Sequence, residues 1–460
     1  MMSAIKMKRV LTTPALIAFG LAYMVPLGIF TTYGEVTVVS NGHLPVAYII
    51  TLAMIFFTAL SYCRMANKLP IAGSAYTYVQ RTFGGKAGFL VGWAQILDYL
   101  FLPILNYLVL GIYLHELYDS IPAYVYVLAS IIGVSVLNYL GIKLINWANI
   151  TLNFFQALFI VLFIILTLTN VHLTPETMLK PISVTTDDFS GLFSGAAILC
   201  LAFLGFDAIA TLAEESNDAK KTLPRAIIGT VLIAGCIFLV VSYCAHLAYP
   251  QWTDFVDNKD TASLDVMRKV DSISHLTSIL GKYGNDFMYN FFQTAYLTGV
   301  FASTMTAQTS VSRIFYAMGR EGVLPKQIFY KIHPRFRTPY LSIIFVSCFS
   351  LLSLVLDLSL VVSMISFGAL VAFTFVNLCV IKSYLSGTEK TVPMLLKYGL
   401  MPAIGVSLSL WLWTSLETTA MTVGLIWLVI GFCYLLYLTR CFTKSLPSID
   451  HTELDSIIKD

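Results

Sequence analysis

The chain has 460 residues, 57% of them apolar and only 12% charged, about half the charged fraction of a soluble domain. That composition excludes an ordinary soluble protein, and the net charge of +3 averages over loops of opposite sign, so it selects no partner. The eight cysteines stand in or beside apolar stretches with no CxxC or Cys/His spacing, which argues against a disulfide framework and a metal site.

Twelve apolar segments are predicted, at about 14–38, 45–66, 87–114, 122–141, 148–169, 190–213, 225–247, 287–316, 339–356, 358–381, 394–415 and 419–439. Each approaches the roughly 20 residues that cross a hydrocarbon core of about 30 Å. Only helices of this kind pair all their backbone polar groups within lipid, so the expected fold class is an all-α polytopic membrane protein with twelve transmembrane helices. The first segment is too long, and lacks the small-residue site, for a cleavable signal peptide.

Segment 1 contains YMVPLGIFTTYGE (residues 23–35), in which Pro26 and Gly28 interrupt the helix and Glu35 follows toward its far end. Segment 3 contains WAQILDYLFLPILNY. At about 100° per residue, Gln95, Asp98, Tyr99 and Asn106 fall on one polar stripe. Segment 5 offers Asn149, Asn153 and Gln156 but no lysine. Segment 6 contains LAFLGFDAIA, where Gly205 precedes Asp207. The long connection at about 248–286 carries ASLDVMRKVDSISHLTSIL, an amphipathic run predicted to form a short helix on the outer face. Segment 8 is rich in hydroxyls and amides from Gln293 to Ser310, and the tail after Lys444 is short and polar.

Orientation follows from the basic residues. An inside N-terminus assigns 23 of the 28 Lys and Arg to cytoplasmic ends and loops, Lys6, Arg64, Arg313 and Arg320 among them. Both termini are then expected in the cytoplasm.

The glycine and proline breaks of segments 1 and 6 lie five segments apart, the sequence mark of an inverted-repeat transporter whose site lies where the broken helices meet. One membrane transport domain, residues 1–460, is expected. Its repeats are about 14–169 and 190–381, helices 11–12 are about 394–439, and a cytoplasmic tail covers 440–460. An ionisable group at membrane depth normally faces a cavity or a partner, which marks Asp98, Asp207 and, nearer the outer rim, Glu35. Tyr23, Phe30, Trp93, Tyr99, Phe203, Phe206 and Tyr296 surround these acids in the sequence, and their ring faces attract ammonium groups.

PIAGSAYTY (70–78), GFDAIATLAEESNDAKKTLPRAI (205–227), RIFYAMGREGVLP (313–325) and the broken segment 1 resemble the amino acid–polyamine–organocation transporters. Within that family, VGWAQILDYLFLPILN (91–106), AFLGFDA (202–208), IHPRFRTP (332–339) and FGALVAFTFVNL (367–378) are most similar to bacterial putrescine importers. The resemblance implies ten core helices in two inverted repeats and ion-coupled uptake. It also implies amine contacts at Asp98 and Asp207, and a cytoplasmic gate of Glu214 and Glu215 with Arg225 or neighbouring bases. The family's glycine-rich run in segment 1 holds a substrate carboxylate on free N–H groups. Here Pro26 removes one such donor, which favours a substrate without a carboxylate. Putrescine importers carry an acid after the phenylalanine, where this chain has Thr31; Glu35, one turn on, is the expected substitute.

The expected function is inward transport of a small cationic amine, above all putrescine, through the plasma membrane of a bacterium. Tyr23, Gly28, Glu35, Asp98, Tyr99, Phe203, Phe206, Asp207 and Tyr296 form the expected substrate site. Protonation of Asp98 or Asp207 would permit proton symport; Gly20, Ser303 and Thr304 could instead hold sodium. An amino acid carrier or amino acid/amine exchanger is the alternative, and a non-transporting amine sensor is one of another class. No enzyme activity, resident cofactor or nucleic-acid partner is expected; the bilayer is the expected surroundings.

Overall fold

A backbone in lipid must satisfy its own polar groups, and this chain does so as helix. The computed structural model describes residues 7–185, 188–259, 261–274, 284, 286–387, 391–416, 418–444 and 446. Lys6, the end of the amphipathic run from His275 to Leu280 and most of the tail lie outside them. The helices in chain order are α1 (Thr13–Met24), α2 (Tyr33–Val39), α3 (Leu44–Lys68), α4 (Ala75–Phe83), α5 (Gly85–Leu117), α6 (Ala123–Leu140), α7 (Ile142–Asn170) and α8 (Pro175–Leu179). They continue as α9 (Phe189–Leu199), α10 (Ala219–Ala248), α11 (Ala262–Ile273), α12 (Phe287–Arg320), α13 (Lys326–Phe329), α14 (Tyr340–Ser350), α15 (Leu358–Leu385), α16 (Met401–Thr414) and α17 (Thr418–Thr439). Among the described residues there is no strand, only an isolated bridge between Leu11 and Ser216. The described part of the amphipathic run is α11, as expected.

Ten helical stretches among the described residues are long and apolar enough to cross a membrane. The other two expected segments depart for opposite reasons. α12 is long enough, at 34 residues, but its hydroxyls and amides make it too polar. Tyr340–Leu354 is apolar but shorter than a full span.

Segment 1 breaks at Val25, which takes φ +51° immediately before Pro26. The proline ring disfavours helical geometry for its predecessor, and here that β-branched residue takes the left-handed region. A tight turn, Pro26–Phe30, follows, and α2 starts afresh at Tyr33. Segment 6 breaks between Cys200–Phe203 and Ala208–Glu215, with Gly205 at φ +129°. The two breaks meet. A Cβ on Gly205 would stand 2.6 Å from the ring of Tyr23, so only glycine admits both the turn and the contact.

Around the breaks, α3 lies along α10, and α5 lies between α12 and α15. α5 is also tied to α17 by a reciprocal pair. The Trp93 indole donates to the carbonyl of Trp427 (2.9 Å), the Trp427 indole donates to that of Trp93 (2.8 Å), and the rings stack at 4.9 Å. Trp93 therefore faces α17 and not the acids beside which the sequence pattern put it. Just before α9, Asp188 accepts hydrogen bonds from Asn41 and Thr185. These bonds, Asn41 first, hold its carboxyl down at about 2, so it stays ionised at any working pH.

Candidate functional site

The polar stripe of α5 faces the break in segment 6. From that stripe the Tyr99 hydroxyl donates to Asp207 Oδ2 at 2.5 Å, and the Gly205 N–H approaches Oδ1 at 3.3 Å. Ser74, just before α4, donates to the Asp207 carbonyl at 3.3 Å. Asp98 and Asp207 are each 1% exposed, and the two carboxylates lie within electrostatic reach of each other and of Tyr23. The Tyr23 and Tyr99 rings meet edge to face at 6.1 Å. Asp98 Oδ1 and the Tyr23 hydroxyl are buried without a hydrogen-bond partner, although a buried polar atom left unpaired costs about 1–3 kcal/mol. Behind Asp98, α15 approaches so closely that a Cβ on Gly368 would stand 2.6 Å from the Asp98 nitrogen. Neither carboxylate is bonded to a lysine or arginine among the described residues. Two buried acids and two phenols are thus gathered at the break, a charge pattern complementary to an organic cation.

The remaining expected site residues divide. Phe206 joins Tyr62 (5.5 Å) and Phe373 (5.4 Å) in an aromatic cluster from α3 and α15 next to Asp207. Phe203 turns the other way, onto Phe238 of α10 at 5.2 Å. Gly28 offers no free donor, because its N–H is bonded to the Val25 carbonyl at 2.6 Å. Tyr296 lies toward the acidic end, where its hydroxyl shares a hydrogen bond with Thr31 at 3.1 Å and its ring stacks on Phe292. Phe30 packs on Phe292 and Phe163 beside it. Glu35 is exposed and stands apart from the pair. The helix ends at Phe30 and restarts at Tyr33, so the one-turn extrapolation from Thr31 to Glu35 does not apply.

Two ion pairs stand at the end of segment 6. The Arg313 guanidinium, 0% exposed, donates to both oxygens of Glu215 at 2.9 and 3.0 Å. Arg320 pairs with Glu214. The Glu215 carbonyl also accepts the N–H groups of Val10 and Leu11, which clamps the approach to α1 onto the end of segment 6. Glu321 accepts from the Tyr76 hydroxyl at 2.5 Å and from Gln80. Arg225, the base named first for the gate, is exposed and forms no ion pair among the described residues. Arg313 and Arg320 stood in RIFYAMGREGVLP, where the sequence showed only their contribution to orientation.

The three groups considered for sodium have other engagements. Gly20 packs on Thr230 and Ile209, and Thr304 donates to the Val300 carbonyl of its own helix. Ser303 accepts from Asn106 (2.9 Å) and donates to the Tyr23 carbonyl (2.8 Å).

Gly205→Ala tests the meeting of the breaks. Overpacking alone costs about 1–3 kcal/mol, so uptake by this variant is expected to fall at least tenfold with folded protein still recovered. Wild-type uptake would show that the contact with Tyr23 is dispensable.

The family model described as Amino acid permease matches residues 15–447. The low-affinity putrescine importer PlaP of Escherichia coli K12 is 36% identical over 456 residues, covering 97% of each chain. The branched-chain amino acid permease BcaP of Bacillus subtilis is 27% identical, covering 94% of this chain and 93% of its own. The methylthioribose transporter of Bacillus subtilis is 24% identical and covers 93% of both.

Proposed function

The chain belongs to the amino acid permease family, and from that premise we propose that it imports a small aliphatic diamine, putrescine. The coarser assignment, a multi-pass plasma membrane transporter of amine or amino acid substrates, follows from the family, the relatives and the apolar helices. The finer one rests on a single observation. Two buried carboxylates stand together without a protein cation, and Asp98 Oδ1 has no hydrogen-bond partner, among the described residues. A dication leaving water needs paired charge of this kind.

One ammonium sits at Asp207, with backbone carbonyls of the segment 6 break, and the other at Asp98. Tyr23, Tyr99 and Phe206 enclose the methylene chain. Binding draws the aromatic plug of Phe30, Phe292 and Tyr296 closed. Separation of the Glu214 and Glu215 pairs then opens the basic end, which is cytoplasmic on this reading, as the two repeats rock against each other. Coupling runs through a proton on the carboxylate pair, where two buried acids stand together.

An amino acid would bring a carboxylate to segment 1. Pro26 has no N–H, and that of Gly28 is already bonded, so the nest such a group requires is lacking. The deciding test is uptake of radiolabelled putrescine into proteoliposomes under separately imposed proton and sodium gradients, with competing amines. Uptake is expected to follow the proton gradient and to resist ornithine. Ornithine or lysine competing as well as putrescine would overturn the diamine assignment. Binding without counterflow would replace the transporter by a sensor. In the same assay Glu35→Gln is expected to change the rate less than twofold, because the side chain is solvated; a loss above tenfold would bring it back into the pocket.

A further inference from the structure

A second cavity, of about 690 Å³, opens at the basic end, far from the carboxylates in the fold. Tyr139 at the end of α6, Tyr316 on α12, Tyr340 at the start of α14, and Tyr330, Lys331 and His333 of the connecting loop line it. The loop is anchored. His333 Nδ1 accepts the N–H groups of Arg335 and Phe336, the His333 N–H donates to the Thr338 carbonyl, and the Thr338 hydroxyl donates to the Tyr139 carbonyl. The His333 ring stands 5.1 Å from Tyr139 and 5.8 Å from Tyr340. The cavity is therefore a walled feature of the fold.

Its charge is one-sided. Lys331, Arg335 and Arg337 are exposed on this short loop, and none forms an ion pair with a described carboxylate. Beyond the mouth the neighbouring helices present an apolar face: Val136 and Leu140 on α6 are 50% and 42% exposed, and Ile344 on α14 is 50% exposed. Basic loop, tyrosine belt and apolar wall follow one another in the order of a lipid's phosphate, glycerol and acyl chains. Basic pockets between membrane helices are suited to anionic headgroups.

We propose that this pocket is a binding site for an anionic phospholipid of the leaflet at the basic end. Lys331 and Arg335 receive the phosphate, Tyr139 and Tyr340 flank the glycerol, and the chains lie along Val136, Leu140 and Ile344. The inner wall of the site touches the gate. Tyr316 meets Tyr330 at 5.3 Å, and the guanidinium of Arg320, the partner of Glu214, lies 5.9 Å above the Tyr316 ring. Lipid occupancy therefore steadies the end of α12 on which the gate closes. The site does not depend on the identity of the transported substrate.

The test uses the purified full-length chain in a neutral detergent, titrated with dioctanoyl phosphatidylglycerol and followed by thermal unfolding. Phosphatidylglycerol is expected to raise the melting temperature saturably, and dioctanoyl phosphatidylcholine to do so far less. Lys331→Gln should weaken phosphatidylglycerol about fivefold, the worth of one lysine at an anionic surface, and Lys331→Gln/Arg335→Gln should weaken it further. Lys220→Gln/Lys397→Gln, which removes two exposed charges elsewhere on the same face, should leave the titration unchanged. An equal weakening by that second pair would reduce the effect to diffuse surface charge and overturn the site. Equal stabilisation by phosphatidylcholine, or by soluble glycerol phosphate alone, would overturn the anionic lipid as its occupant.

Discussion

Asp207→Asn is expected to lower putrescine uptake in proteoliposomes by about 100-fold or more. Asparagine keeps the size of the side chain and an acceptor for the Tyr99 hydroxyl, bonded at 2.5 Å, so the break in segment 6 should survive. Lost are the charge and, because an amide has one oxygen, the acceptor for the Gly205 N–H at 3.3 Å. An ammonium brought into a pocket whose walls are 0–3% exposed then has no counterion there. Removing one partner of a buried pair costs about 3–5 kcal/mol, or roughly two to three and a half decades of affinity at about 1.4 kcal/mol per decade. Asp98→Asn is the matched comparison. Asp98 Oδ1 has no protein partner to lose, so its yield and melting temperature should match wild type while binding still falls. Substantial uptake by both variants would remove the carboxylate pair from the substrate site; loss of folded protein in Asp98→Asn would make that residue structural.

Glu215→Gln is the second large effect, and it reports on the gate. Arg313 spends its Nε and Nη2 donors on Glu215 and gives Nη1 to the Thr309 carbonyl and Ser312 hydroxyl. With Glu215 neutral, a fully buried guanidinium is left uncompensated, again at about 3–5 kcal/mol. The melting temperature should drop sharply. Glu215→Leu/Arg313→Met should recover most of it, because an apolar pair of similar volume is often neutral or better. The recovered double variant is the informative protein. A pair that acts as a gate leaves it stable but slow, since an apolar plug has no charges to rehydrate on opening. A double variant with wild-type stability and wild-type uptake would show the pair to be a strut.

Much of the fold was legible because lipid imposes one local solution on every segment. The apolar lengths marked the membrane helices, and proline and glycine marked both breaks. The α5 periodicity put Gln95, Asp98, Tyr99 and Asn106 on one face, from which Tyr99 reaches Asp207 and Asn106 reaches Ser303. Where a reading assumed that a helix continues, it failed. Glu35 belongs to a new helix with its own phase, and Trp93 belongs to the face that meets α17. The conformational strain at the first break also escaped notice, because Pro26 places it on Val25 while Gly28 takes no positive φ.

By itself, then, the sequence determined what each segment must be: a helix where roughly twenty apolar residues run on, a break where proline or glycine stands, and a buried acid that needs a reason. These follow from neighbours a few positions apart. Only the tertiary structure decided which charge meets which. Glu215 finds Arg313 and Glu214 finds Arg320 across about a hundred residues, and Tyr99 reaches Asp207 across a similar gap. Coulombic and hydrogen-bond partners are chosen by distance in space, which no local pattern encodes. The two breaks meet because packing brings Tyr23 against Gly205, a contact between segments far apart in the sequence.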